Sequence, residues 1–513
     1  MIGAEALVRT LLASGVEACF ANPGTSEMHF VAALDRAPGL RCVLGLAETV
    51  VTGCADGYGR MAGKPAATLL HCGPGLANGL ANLHNARRAN APIVNIVGDQ
   101  ATNHRPYDAP LTTDTEGLAR PVSHWVRTSM SVANVAADAA AAVQAARTAP
   151  GQIATLVLPA DTAWGEGASP AAALPVPART QVAPDTVRAI AAALRRGAPA
   201  MLLLSGAALS EAGLYAAQRV VHATGARLRT PTQVPRMARG RGRVPVDRIP
   251  YVVDMALEVL SGINQLVLVA AKPPVGFFAY PGKPSTLWPQ DCAVDVLARP
   301  EEDAVAALEA LADELGAPRE VPLPAVEPPL SGAQGAFEPL AFAHTFAGLI
   351  PENAIVVEDA VTSGRALFAP TFGAAPNDWL QNTGGAIGIG LPAATGAALA
   401  CPDRKVVCLQ ADGAGMYTLQ ALWTQAREAL DVITVVFANR VYRILQGELA
   451  AVGARPGPAA DRLFGLAPPA LDWLRLAGGM GVEAARVETL EAFADVFRAA
   501  AARRGPFLIE FRI

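Results

Sequence analysis

KVVCLQADGAGMYTLQALWTQAREALDVITVVFANRVYRIL, residues 405–445, reads as strand, tight acidic loop, helix, strand and polar loop. Lys405–Gln410 is a short apolar run ending at a turn signal, as expected of a buried parallel strand. The glycines of Ala411-Asp412-Gly413-Ala414-Gly415 break the ladder and permit unusual backbone angles. In Thr418–Ala429, Leu419, Leu422, Trp423 and Ala426 recur at helical spacing. Val432–Ala438 is a second β-branched run and stops at Asn439. A strand, a helix and a second strand in this order predict an α/β fold with a parallel sheet.

Ligands of parallel sheets gather at the carboxyl ends of strands. Asp412 and Asn439 each stand just past such an end, and the turn after Asn439 frees a carbonyl near Val441. A carboxylate, an amide oxygen and a carbonyl suit Mg²⁺, which takes octahedral oxygen coordination and bridges to phosphate. Local chemistry alone fits plain capping of helices and turns equally well.

The 513 residues allow about three domains. The chain is 52% hydrophobic and 17% charged with a net charge of −4, an ordinary globular balance that gives no reason to expect nucleic acid as a partner. Seven scattered cysteines with no C-x-x-C pattern predict reduced thiols and a cytoplasmic location. The first residues lack a basic start followed by an apolar core, so no signal peptide is expected, and no apolar run reaches the ~18 residues of a membrane span.

Strand and helix patterns alternate from Ala4 to Gly98, again from Met201 to about Leu315, and again from Phe337 onward. Pro-rich stretches at 163–182 and 317–330 separate them. The expected domains are residues 1–165, 183–318 and 337–513, each a doubly wound parallel sheet.

Three stretches of the first segment carry a family resemblance: Asn22-Pro23-Gly24-Thr25-Ser26-Glu27, Glu48 with Ala55-Asp56-Gly57-Tyr58, and Leu70-His71-Cys72-Gly73-Pro74-Gly75 followed by Asn78. Together with Asp412 and an Asn at position 439, they resemble the thiamine-diphosphate-dependent decarboxylase/carboligase family, which includes acetolactate synthase and benzoylformate decarboxylase. The resemblance runs over the whole chain, strong in the first and third segments and weak in the middle one. The family's usual Gly before the Asp and second Asn before Asn439 are here Ala411 and Ala438.

The resemblance implies a pyrimidine-binding, a middle and a diphosphate-binding domain, with thiamine diphosphate and Mg²⁺ as cofactors. Asp412, Asn439 and the Val441 carbonyl would hold the metal. Gly413, Ala414, Tyr442 and Thr362 would lie against the diphosphate. Gly385 would accept from the 4′-amino group, with Ala386 beside it and Ile387 propping the two rings apart. Glu48 would hydrogen-bond the aminopyrimidine and favour its imino tautomer. His71 and Thr25 would face the substrate, and Asn22, Pro23, Gly24, Leu111, Leu445 and Glu448 would line its pocket. By local evidence alone, Glu48 is an ordinary helix-start carboxylate and His71 a loop histidine. The implied site lies between two subunits, so a homodimer or homotetramer is expected.

The implied reaction is decarboxylation of a 2-keto acid followed by transfer of the acyl carbanion, as in acetolactate synthase. The alternative is simple decarboxylation, as in benzoylformate decarboxylase. Leu445 stands where pyruvate decarboxylases place a catalytic Glu, which argues against that activity. The second catalytic His of benzoylformate decarboxylase has no counterpart near Gly276-Phe277-Phe278-Ala279-Tyr280, and Tyr280 or Phe278 is expected in its space. FAD or ADP, bound by some middle domains of the family, has no G-x-G-x-x-G fingerprint here. The basic run from Arg236 to Arg243 reads as a solvated loop or, less simply, a phosphate site. Two other classes stay open: a nucleotide-dependent oxidoreductase and a catalytically silent cofactor-binding homologue.

Overall fold

The computed structural model describes residues 1–330 and 332–513. Three α/β units each centre on one sheet. The first sheet runs, in spatial order, Arg41–Leu44, Ala18–Asn22, Ala66–Leu70, Ile93–Asp99, Ile153–Pro159 and Trp125–Thr128, with every pairing parallel. The middle sheet runs Ala293–Ala298, Gln265–Val269, Ala200–Leu204 and Arg227–Arg229, also parallel. The third runs Glu483–Val487, Phe507–Arg512, Val432–Ala438, Val406–Ala411, Ala354–Asp359 and Asn377–Gln381. The central strands of the first and third sheets are buried along their length, which accounts for largely apolar, β-branched runs such as Val432–Ala438.

One strand departs from the sequence reading. Met237–Arg239, inside the basic run of the middle segment, joins the third sheet antiparallel to Asn377–Gln381. Arg239 is buried, with its guanidinium carbon 3.9, 4.2 and 4.8 Å from the ring centroids of Phe368, Phe372 and Trp379. Burial pulls its pKa down to about 9. Arg236 donates to Asp378 at 2.9 Å, and Arg243 to the Asn377 carbonyl at 2.5 Å. This run is therefore a brace between domains and not a solvated loop.

The first and third units are welded by the helices Glu48–Ala62 and Gly390–Ala400. Small residues let the two backbones touch. A Cβ on Gly57 would stand 2.1 Å from the Ala393 carbonyl oxygen, and one on Gly396 would stand 1.9 Å from that of Cys54. Asp56 and Arg60, fully or nearly buried, form a two-bond ion pair within the first helix, and Arg60 also donates to the Gln381 carbonyl at 2.6 Å. The Ala55-Asp56-Gly57-Tyr58 signature is thus the seam of this interface. Among the described residues, no helix is long and apolar enough to cross a membrane.

Candidate functional site

The acidic loop opens where the strand Val406–Ala411 ends, and Asn439 follows the strand Val432–Ala438. These strands are parallel neighbours, with Ala411 opposite Phe437, so the two side chains emerge at one edge of the sheet. The loop is a single helical turn, Asp412–Gly415, where the sequence predicted irregular backbone. Asp412 is buried; its Oδ1 accepts from the Gly413 N–H at 2.8 Å and its Oδ2 from the Arg440 N–H at 2.7 Å. Burial raises its pKa, and the backbone donors at Arg440 and Gly413 counter that effect. Asn439 Oδ1 accepts from Val441 N at 3.0 Å, and the Val441 carbonyl accepts from Arg443 N at 2.9 Å. Arg440, between them, takes a positive φ of 59°. Carboxylate and carbonyl oxygens each keep a further lone pair, so the donor set fits a hard oxygen-seeking cation. The Tyr442 ring lies where a Cβ on Gly413 would be, 2.4 Å from Cε1.

The Gly385 loop meets this turn. Gly388, at φ 95°, abuts the Ala414 carbonyl and Tyr417, and Thr418 Oγ1 donates to the Gly388 carbonyl at 2.6 Å. Buried Asp359 accepts from the N–H groups of Gly388 at 2.8 Å and Gly390 at 3.3 Å. Asn382 and Asn85 both donate to the Ala386 carbonyl, at 3.0 and 2.8 Å. Gly385, at φ 81°, is faced by Phe277, whose Cζ would be 2.8 Å from an added Cβ. Ile387 is half-buried in the same loop. Thr362 follows the strand Ala354–Asp359, a neighbour of Val406–Ala411, and so reaches the same sheet edge.

The first unit contributes a separate cluster. Glu48, at the first position of its helix, is buried and accepts from Asn22 Nδ2 at 3.1 Å and Asn78 Nδ2 at 3.2 Å. Asn22 therefore touches Glu48 itself, a placement that its reading as a pocket residue did not contain. His71 precedes the helix Cys72–Ala89, and its ring lies over Gly24, where a Cβ would come within 2.3 Å. His71 Nδ1 is 2.8 Å from Glu27 Oε2. Glu27, buried, also accepts from Gly24 N at 2.8 Å and Ser26 Oγ at 2.5 Å. A carboxylate that already receives two donors fixes the His71 proton on Nδ1 and leaves Nε2 as the nitrogen free to meet a ligand. Cys72 Sγ lies 3.0 Å from Ser26 Oγ, and burial pushes its thiol up to about 11. Glu27, His71 and Cys72 are close enough to share an ion, but His71 Nδ1 is already engaged with Glu27 and Cys72 Sγ with Ser26.

Thr25 is exposed on a short 3₁₀ turn, and Pro23 is exposed beside it. Leu111 is half-buried two residues before Thr113, whose side chain fills the space over Gly73. Leu445 is 39% exposed on the helix Arg443–Ala451, and Glu448 is one turn further on. Phe277 faces Gly385, and Tyr280 Oη reaches Glu448 at 2.7 Å. Sequence reading passed over Glu27, Asp359, Asn85 and Tyr251. Glu27 alone had a local signal, the side chain reaching back three residues to the N–H of Gly24. The others act through contacts remote in sequence: Asp359 with Gly388 across 29 positions, Tyr251 with Glu448 across 197 and Asn85 with Ala386 across 301.

Residues 1–120 match the N-terminal TPP binding domain of thiamine pyrophosphate enzymes, and residues 366–511 match the C-terminal TPP binding domain. The acetolactate synthase large-subunit-like protein IlvX of Mycobacterium tuberculosis is 52% identical, over 99% of this chain and 98% of its own. A benzoylformate decarboxylase of Pseudomonas aeruginosa is 28% identical over 97% of this chain and 96% of its own. The structure of a thiamine diphosphate-dependent 4-hydroxybenzoylformate decarboxylase of Rhodococcus jostii superposes with a TM-score of 0.87 at 24% identity, covering 100% of this chain and 99% of that one, which is a likeness of fold. With both cofactor-binding domains matched and a relative of this identity spanning its full length, the chain belongs to the thiamine pyrophosphate (thiamine diphosphate) enzyme family.

Proposed function

We propose that the chain decarboxylates a 2-keto acid and transfers the resulting acyl carbanion to a second carbonyl, as an acetolactate synthase does. The observation that carries this reading is the pair of oxygen-donor residues at adjacent strand ends, buried Asp412 and half-buried Asn439, in a chain 52% identical to an acetolactate synthase-like protein. Asp412, Asn439 and the Val441 carbonyl would hold Mg²⁺ and, with Gly413, Ala414, Tyr442 and Thr362, the diphosphate. Bound there, the cofactor supplies an electron sink for the carbanion left when CO₂ departs.

The chain's own groups do the rest. Gly385, Ala386 and Ile387 would seat the pyrimidine and hold the ring angle. Glu48, oriented by Asn22 and Asn78, would hold a proton at the pyrimidine nitrogen. In this nearly dry setting one hydrogen bond can shift a tautomer equilibrium. His71 would give or take a proton at Nε2, aimed by Glu27, with Thr25 beside it. Asn22, Pro23, Gly24, Leu111, Leu445 and Glu448 would bound the substrate. The working divisions are residues 1–165, 183–318 and 337–513. Among the described residues, no hydrogen bond joins the Glu48 cluster to the Asp412 turn, which supports a site completed by a second subunit in a homodimer or homotetramer. Seven free cysteines support a cytoplasmic setting. A cavity of about 700 Å³ between Gly206, Ala270, Arg147 and Arg179 is the place in which a middle-domain nucleotide would sit.

Simple decarboxylation is the second reading, favoured by the His71–Glu27 pair as a proton donor. A panel of 2-keto acids, scored for CO₂ and for acyloin products, separates the two. Acyloins from a keto acid pair support carboligation. Aldehyde alone supports decarboxylation, and no CO₂ from any keto acid overturns both.

A further inference from the structure

The helix Arg443–Ala451 carries Leu445 and Glu448, yet buries none of its residues. Packing alone therefore does not hold it in place. Its firmest side-chain ties cross to the middle segment. Tyr251 Oη donates to Glu448 Oε1 at 3.0 Å, and Tyr280 Oη donates to Glu448 Oε2 at 2.7 Å. Both carboxylate oxygens are thus occupied by phenols from another domain, an arrangement stronger than neutral hydrogen bonding. Burial raises both phenols, so they stay protonated donors through the neutral range.

This clasp is continuous with the candidate cofactor site at two points. The Tyr251 ring packs on Phe277 with centroids 5.4 Å apart, and Phe277 faces Gly385. The Arg365 guanidinium sits 5.4 Å from the Tyr251 ring on its own account. At the other end, the helix begins directly after Tyr442, whose ring covers Gly413 next to Asp412. The carboxylate therefore fixes the distance between an element that starts at the metal-side turn and an aromatic cluster that rests on the Gly385 loop.

We infer that Tyr251 and Tyr280 are positioning residues which, through Glu448, set the stance of the helix bearing Leu445 and so set the depth of the acyl pocket that Leu445 would bound. This rests on the 2-keto acid reading above. An intact clasp keeps Leu445 close and favours 2-keto acids with short acyl groups. A broken clasp lets the helix withdraw and relaxes that preference toward longer ones.

The test uses the full chain, with and without thiamine diphosphate and Mg²⁺, as wild type, as the Tyr251→Phe/Tyr280→Phe double variant, as Glu448→Leu and as Glu448→Gln. Backbone hydrogen exchange at residues 443–451 should quicken about tenfold in the double variant and in Glu448→Leu, as expected for loss of charge-assisted hydrogen bonds. KM for pyruvate should rise about tenfold while that for 2-oxohexanoate changes little, with the cofactor Kd held within about twofold. Glu448→Gln keeps the side-chain shape and an acceptor oxygen and should recover part of both effects. Unchanged exchange in the double variant overturns the inference. So does a KM that rises equally for both keto acids, or a cofactor Kd that weakens in step. If wild type binds no thiamine diphosphate, the functional reading fails on its own, and the exchange comparison still decides whether the clasp holds the helix.

Discussion

Asp412 Oδ2 accepts a hydrogen bond from the backbone N–H of Arg440 at 2.7 Å, tying the acidic turn after one strand to the left-handed turn after its neighbour. That bond sets the carboxylate beside Asn439 before any ligand arrives. Asp412→Ala should therefore lose Mg²⁺-dependent thiamine diphosphate binding by more than about tenfold while leaving the fold intact. Calorimetric titration with and without chelator measures this. Equal affinity in the variant removes Asp412 from the metal site.

Glu48 has two amide donors and a buried carboxylate, so its replacement by an isosteric amide keeps the shape and deletes the charge. Glu48→Gln should retain the cofactor yet slow proton exchange at its C2 position at least about a hundredfold, a loss on the scale of general acid–base contributions. Exchange into deuterated solvent, followed by NMR of the released cofactor, reads this directly. A wild-type exchange rate refutes the assignment.

His71→Ala should lower kcat about a hundredfold with cofactor affinity unchanged, because Nε2 is its free nitrogen. Glu27→Gln keeps the imidazole but weakens its orientation, so its loss should be smaller. The ordering of the two variants is the check. A larger defect in Glu27→Gln than in His71→Ala means that Glu27 acts in its own right.

The seam between the first and third units predicts a stability effect far from any chemistry. Gly57→Ala places a Cβ 2.1 Å from the Ala393 carbonyl oxygen, so one helix must shift. Overpacking of this kind costs about 1–3 kcal/mol, visible as a lower urea midpoint. Gly447→Ala, in a helix with open space around the position, is the matched control and should be neutral or slightly stabilising.

The cysteines should sort by thiolate character. Cys42 is exposed, and the neighbouring Cys19 thiol lowers its pKa. Cys72 is buried, and burial raises its thiol to about 11. Because the thiolate is the reactive form, iodoacetamide at neutral pH should label Cys42 first. Cys72 should remain unlabelled until the pH nears its raised value. Mass spectrometry of the labelled peptides gives the order, and early labelling of Cys72 would contradict its buried, neutral state.

Much of the candidate site was readable in one dimension because its parts sit at strand ends. The apolar runs before Asp412, Asn439 and Thr362 announce buried strands, and a parallel sheet brings such ends to one edge. Glu48 and His71 were readable only through the motifs around them, since a carboxylate or imidazole at a helix start is common. The Pro-rich breaks announced three units. Nothing local announced that Met237–Arg239 would leave its own unit, because edge pairing depends on which sheet offers a free strand. Nor did Arg239 signal its burial among Phe368, Phe372 and Trp379.

What the chain determines by itself is therefore the order of its elements and the residue types at each strand end, since burial demands apolar periodicity and sharp turns demand glycine. Tertiary structure alone decided which of those residues act together. Glu27 reaches His71 across 44 positions, Asn85 reaches Ala386 across 301, and Tyr251 reaches Glu448 across 197. Polar pairs at such separations leave no periodic trace. They are selected by the packing of whole domains, which aligns donors and acceptors that a linear reading has no means of pairing.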